Sequence, residues 1–124
     1  MSILIIDDEP MIRMTLSAYL EDAGYDTHEA SDGVEGLSIL AVHQEKIQAI
    51  IVDLNMPRMD GYEFLQAAGN LLKRIPCIVL SGSGYDDEVE KAVKLGAAGF
   101  FLKPIPDLDE LVSHLEHTLT SRRS

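Results

Sequence analysis

The sequence of 124 residues is poor in three things that would each point to a class of protein: cysteine, basic charge and long apolar runs. Its one cysteine, Cys77, cannot build a disulfide framework, and its place before an apolar run reads as a buried small hydrophobe, not a redox or metal-binding thiol. Ten lysines and arginines stand against 21 aspartates and glutamates, for a formal net charge of -11. A chain so acidic lacks the basic surface needed to displace counterions, so direct nucleic-acid binding by this domain is not expected. No stretch approaches the roughly 18 apolar residues of a membrane helix. The opening MSILIIDD also lacks the basic start and long apolar segment of a secretion signal. A cytoplasmic protein without membrane contact is the expectation.

What is present is the composition of one ordinary globular domain, 46% hydrophobic and 25% charged. Short apolar runs alternate with helical spacing along the whole length. Ile3 to Ile6, Ala49 to Val52 and Cys77 to Leu80 have the character of strands buried on both faces of a parallel sheet; Asp26 to Ala30 and Gly99 to Leu102 are weaker strands. Between them, Ile12, Leu16, Tyr19, Leu20 and Ala23 predict a first helix, with Pro10 in its first turn and Gly24 as its stop. Val34, Leu37, Leu40 and Ala41 predict a second after a Ser31 or Asp32 cap; Leu65, Ala68 and Leu72 a third; Val89, Ala92 and Val93, closed by Gly96, a fourth. The stripe Leu108, Leu111, Val112, Leu115 and Leu119 predicts a fifth. Five βα units in order, with right-handed crossovers, give an α/β doubly wound five-stranded parallel sheet.

In such a sheet the functional crevice lies beyond the carboxyl ends of the strands. Strand one ends in Asp7, Asp8 and Glu9, strand three in Asp53, strand four in Ser81 and strand five in Lys103, all at one edge. Carboxylates gathered there would raise one another's pKa and are expected to hold a cation. Oxygen ligands alone, without thiol or imidazole, favour Mg²⁺, with Mn²⁺ as the alternative.

With these residues in place, the sequence resembles the receiver domain of two-component response regulators. The resemblance rests on the acidic pair in IIDDEP, on VDLNMPRMDG, on the hydroxyl and small residue in VLSGS, and on FFLKP, in that order and at those strand ends. It spans residues 1–119, leaving 120–124 as a tail or the start of a linker, and implies a flavodoxin-like sheet of strand order 2-1-3-4-5. By the same resemblance Asp53 is the phosphoacceptor. Asp8, Asp53 and the backbone carbonyl of Asn55 hold the Mg²⁺, with Asp7 reaching it through water. Ser81 and Lys103 bind phosphoryl oxygens, Pro104 follows the lysine through a cis peptide, and Ser81 with Phe100 forms the switch. The implied donor is a sensor histidine kinase or histidine phosphotransfer protein docking on the first helix and the loop after Lys103. The implied output is a downstream domain or target protein, or a homodimer, on the face made by helix four, strand five and helix five. The domain would take up and slowly lose a phosphoryl group without turning over external substrates.

Two other functions compete. A haloacid-dehalogenase-like phosphatase also uses a strand-end aspartate, but needs a second acid two residues on, where this chain has Asn55, and room for a cap domain. A receiver-like interaction module that works unphosphorylated would not need Asp7, Asp8, Asp53, Ser81 and Lys103 together. The remaining features read as structural. His28, His43, His114 and His117 share no metal-like arrangement, His114 and His117 being expected on a solvated helix face. GSG at 82–84 reads as the start of a loop, and Met11, Met14, Met56 and Met59 as packing or an adaptable docking surface.

Overall fold

The structure, a computed structural model, describes residues 1–82, 86–103, 105 and 107–123. The strands are β1 (Ser2–Ile6), β2 (Asp26–Ala30), β3 (Ile47–Asp53), β4 (Cys77–Ser81) and β5 (Gly99–Leu102). They alternate with α1 (Pro10–Asp22), α2 (Gly33–His43), α3 (Gly61–Ala68), α4 (Asp86–Lys94) and α5 (Leu108–Arg123). All five strands are parallel, in the order β2-β1-β3-β4-β5, which is the expected doubly wound sheet.

Alternation along the inner strands explains why those runs are apolar throughout. Ile3, Ile5, Ala49, Ile51, Ile78 and Leu80 face the core closed by Leu16 and Leu20 of α1 and Leu111 and Leu115 of α5. Their neighbours Leu4, Ile6, Ile50, Val52, Cys77 and Val79 face the opposite core, closed by Leu40 of α2, Phe64, Leu65 and Ala68 of α3 and Ala92 of α4. With both faces covered, a strand has no polar side to show. Cys77 is buried, as expected, and burial pushes its thiol pKa well up, which leaves it inert.

The helix boundaries follow local chemistry. Pro10 starts α1, and Gly24, in the left-handed region at φ 101°, ends it. Asp32 caps α2 by accepting from the Glu35 N–H at 2.9 Å, while Asp60 and Glu63 form a reciprocal capping box on α3. Helix α4 carries Asp86, Asp87 and Glu88 in its first turn and Lys91 and Lys94 in its last, matching its dipole at both ends.

Four expectations need correction. The third helix does not run unbroken to Leu72: Gly69, at φ 51°, ends α3 and a 3₁₀ turn Gly69–Lys73 carries Leu72 into the core. Val34 and Val93, read as part of the apolar spacing of their helices, are 46% and 58% exposed, Val34 because the cap sets α2 with Gly33 and Gly36 inward. Residues 120–123, expected as a tail, continue α5. His114 is not solvated: it is half-buried, edge-on to Phe101, in the space left by the missing side chain of Gly99. His28 and His43 stack at 4.6 Å between β2 and the end of α2, an arrangement of ring faces and not of metal ligands. The Pro104 peptide and residues 83 and 84 of the GSG segment lie outside the described residues. Among the described residues no helix is long and apolar enough to cross a membrane.

Candidate functional site at the carboxyl edge of the sheet

Strands β1, β3, β4 and β5 end side by side, and their last residues meet as the sequence predicts. Asp53 closes β3 and is 3% exposed; Asp7, just past β1, and Ser81, closing β4, are fully buried. Asp8 and Glu9 follow Asp7 into solvent. Ligand oxygens of Asp7, Asp8, Glu9 and Asp53 all lie within 4.8 Å of one another. Lys103, one residue beyond β5, reaches into this group. Its ammonium is 2.9 Å from Asp7 Oδ2, 3.1 Å from Glu9 Oε1 and 3.2 Å from Asp53 Oδ2. A pocket lined by Asp8, Glu9, Asp53, Asn55, Gly82 and Lys103 opens this cluster to solvent.

Backbone packing fixes the short members. The Arg13 guanidinium donates to the Asp7 carbonyl at 2.6 Å, and the Glu9 N–H donates to Asp7 Oδ1 at 2.9 Å. Leu54 N–H bonds the Leu80 carbonyl at 3.0 Å, tying the end of β3 to β4. Gly61 N–H bonds the Leu54 carbonyl at 3.0 Å, and a Cβ on Gly61 would come within 2.6 Å of the Asp53 carbonyl oxygen. Only glycine lets the first turn of α3 press so closely on the strand end.

The electrostatics are unbalanced. Burial, then the Asp7 charge, push the Asp53 pKa up to about 6 against the pull of Lys103 and of the Asn55 N–H. Burial likewise raises Asp7, although the Glu9 N–H and Lys103 oppose it. For Lys103 burial works to lower the pKa, but its carboxylate partners win and raise it, so the ammonium stays charged. One ammonium facing four acids leaves an excess of negative charge. Asp7 Oδ2 is buried, and the partner it faces among the described residues is the Lys103 ammonium at 2.9 Å. A surplus of converging hard oxygens with an underused buried one fits a small divalent cation, and the residues that could hold it are Asp7, Asp8, Asp53 and the Asn55 carbonyl.

Two partners were not legible in the sequence. Glu88 on α4 accepts a hydrogen bond from the Ser81 hydroxyl at 3.2 Å. Arg58, in the loop after β3, pairs with the Asp32 carboxylate. Both join residues brought close by the fold alone; the single local hint, a positive φ at Arg58, is a property of the backbone and not of the sequence. Phe100 is half-buried and packs against the α2–α3–α4 core.

Residues 3–116 match the family model of the response regulator receiver domain. The chain is 34% identical to sporulation initiation phosphotransferase F of Bacillus subtilis over 109 residues, covering 88% of this chain and 86% of that one. It is similar in structure to a response regulator receiver domain protein from Clostridium thermocellum, with 29% identity and a TM-score of 0.90 over 98% of this chain and 96% of the other. It also resembles a chain in the CheX-CheY-BeF3-Mg²⁺ complex from Borrelia burgdorferi, at 25% identity and a TM-score of 0.88, covering 94% and 87% of the two chains. Some curated relatives are much longer: the chain spans 17% of the length of a two-component response regulator from rice.

Proposed function

Because the chain belongs to the response regulator receiver family, we propose that it is a phosphorylation-dependent switch in which Asp53 accepts a phosphoryl group from a phosphohistidine donor. Receiver domains are signalling modules, not metabolic enzymes, and the chemistry needed here is positioning and charge compensation. An Asp53 carboxylate oxygen forms the new O–P bond while the P–N bond of the donor breaks and its imidazole leaves with the electron pair. The observation that carries this reading is Asp53 itself, 3% exposed, set among acids and 3.2 Å from the one ammonium that reaches it. A carboxylate can approach a phosphoryl group only where its charge is offset, and Lys103, kept protonated by its carboxylate partners, offsets it.

Asp8, Asp53 and the Asn55 carbonyl, with Asp7 behind them, would hold Mg²⁺ or Mn²⁺, which would supply the remaining positive charge for the phosphoryl group. The Borrelia relative's complex contains BeF3 and Mg²⁺, which favours a divalent cation as a ligand here. Lys103 then holds a second oxygen. The Ser81 hydroxyl takes a third by exchanging its Glu88 acceptor for the phosphoryl group, and Phe100 turns into the space Ser81 leaves. Loss of the Glu88 bond removes one tie between β4 and α4, which biases a pre-existing equilibrium between inactive and active forms. Slow hydrolysis of the acyl phosphate resets the domain.

For the donor, a sensor kinase or phosphotransfer protein, the docking surface is α1 and the loop after Lys103. Met11 and Met14 there are 74% and 62% exposed, beside a groove of about 240 Å³ lined by Ile12, Leu16, Ile105 and Leu108. Output is carried by the α4–β5–α5 face, where Val93 and Leu102 are exposed, to a target, a following domain or a second copy. Incubation with a small acyl-phosphate donor and Mg²⁺ should label the chain once, on Asp53. Asp53→Ala should take no label, and persistent labelling of that variant at another residue would sink the assignment.

A further inference from the structure

The loop between β3 and α3, residues 54–60, carries Asn55 and is tied to the strand end by the Leu54 and Gly61 hydrogen bonds described above. Its apex is a tight turn in which the Met59 N–H donates to the Pro57 carbonyl at 2.7 Å. Arg58 at that apex has φ 63°, and among the described residues it is the one non-glycine in the left-handed region. That conformation costs a residue with a Cβ roughly 1–2 kcal/mol, so something outside the turn must stabilise it.

The compensating contacts all come from the first turn of α2. Asp32 divides its carboxylate: Oδ1 caps the helix through the Glu35 N–H, and Oδ2 pairs with the Arg58 guanidinium. The Asp32 side chain is 3% exposed whereas Arg58 is 66% exposed, so the loop brings the cation to a buried anion. Gly33 N–H donates to the Met59 carbonyl at 3.3 Å. A Cβ on Gly33 would lie 2.7 Å from Met59 Cγ, so backbone and side chain of the loop are pressed against the helix. The Glu35 N–H, and after it Arg58, hold the Asp32 carboxyl below the usual carboxylate range, so the pair is charged at neutral pH.

We propose that the Asp32–Arg58 pair is an ionic latch that holds the β3–α3 loop against α2 and so fixes the Asn55 carbonyl for the cation, making both residues positioning residues for phosphoryl uptake. This rests on the phosphoacceptor reading above. Two variants separate the latch from its surroundings. Asp32→Asn keeps the helix cap, since asparagine caps as well as aspartate, but removes the charge. Arg58→Gly removes the guanidinium and relieves the left-handed backbone at the same time.

The measurements are Mg²⁺ affinity by calorimetry and hydrogen exchange of the Gly33 N–H in the metal-free protein. Each variant should weaken Mg²⁺ binding about tenfold, the low end of outer-shell effects, and speed Gly33 exchange. The double variant should be no worse than the poorer single one, because both remove the same interaction. The gap from wild type in Asp32→Asn should narrow in about 0.5 M salt, which screens an exposed guanidinium and leaves a purely steric defect unchanged. Wild-type affinity and exchange in both variants, or additive losses in the double variant, would overturn the latch. Neither result bears on which residue takes the label, since at saturating Mg²⁺ both variants should still be labelled on Asp53; labelling elsewhere would remove the phosphoacceptor reading while leaving Gly33 exchange as the test of the loop's attachment.

Discussion

The inner strands β1, β3 and β4 are buried along almost their whole length, whereas the marginal strands β2 and β5 are largely part-exposed, and the site divides along the same line. Asp7, Asp53 and Ser81 come from the inner strands on short side chains and are buried by them. Lys103 comes from beyond the marginal β5 on a long flexible arm, and Asp8 and Glu9 project into solvent. Rigid packing thus fixes the oxygens of Asp7, Asp53 and Ser81, whereas the Lys103 ammonium is placed by reach. The cost falls on the inner strands. Their ends hold carboxylates that burial makes reluctant to ionise, and stability there is given up for a poised site.

The contrast can be broken most severely at its junction. Lys103→Ala removes the ammonium from Asp7, Asp53 and Glu9 together; phosphoryl uptake from an acyl phosphate should fall about 100-fold or more, measured by initial labelling rate at saturating Mg²⁺. Next in size is the inner strand itself. Ile51, fully buried, should cost about 2–5 kcal/mol when changed to Ala, read as a lower denaturation midpoint at unchanged slope.

A third effect runs the other way. With its folded pKa raised to about 6 from 3.8, Asp53 binds a proton more tightly folded than unfolded. The stability this provides is complete below the unfolded value and is lost as pH rises through the folded one, by about 3 kcal/mol. Asp7, raised in the same direction, adds to that loss. Metal-free Asp53→Asn should therefore be more stable than wild type at neutral pH, and denaturant melts should show a shallower decline across that window. The smallest effect belongs to the margin: Val42→Thr on α2, 76% exposed in the parent, should stay within about 0.5 kcal/mol of it.

The same division decided what the sequence could reveal. β1, β3 and β4 were legible because a strand covered on both faces must be apolar throughout, and the polar residue that ends such a run stands out. The candidate site residues were legible for that reason: Asp7, Asp53 and Lys103 each follow or close a strand and meet where the order of elements requires, and Ser81 closes the strand beside them with its hydroxyl on Glu88. Contacts set by two distant segments were not. His114 is enclosed because Gly99 on the neighbouring strand has no side chain, which no periodicity along α5 can express. Arg58 meets Asp32, and Glu88 meets Ser81, across loops whose paths depend on the finished fold. The end of α3 at Gly69 was missed because the 3₁₀ turn keeps Leu72 on the face that helical spacing assigns to it.

The edge of the sheet holds Asp53 in a charge-frustrated cluster, which a bound cation should relieve. Carboxyl ¹³C NMR of the metal-free protein across a pH titration tests it directly. Asp53 should titrate with an apparent pKa near 6, and saturating Mg²⁺ should move that midpoint well into the ordinary carboxylate range or below. An Asp53 carboxyl that titrates near 4 without metal, and does not respond to Mg²⁺, would contradict it.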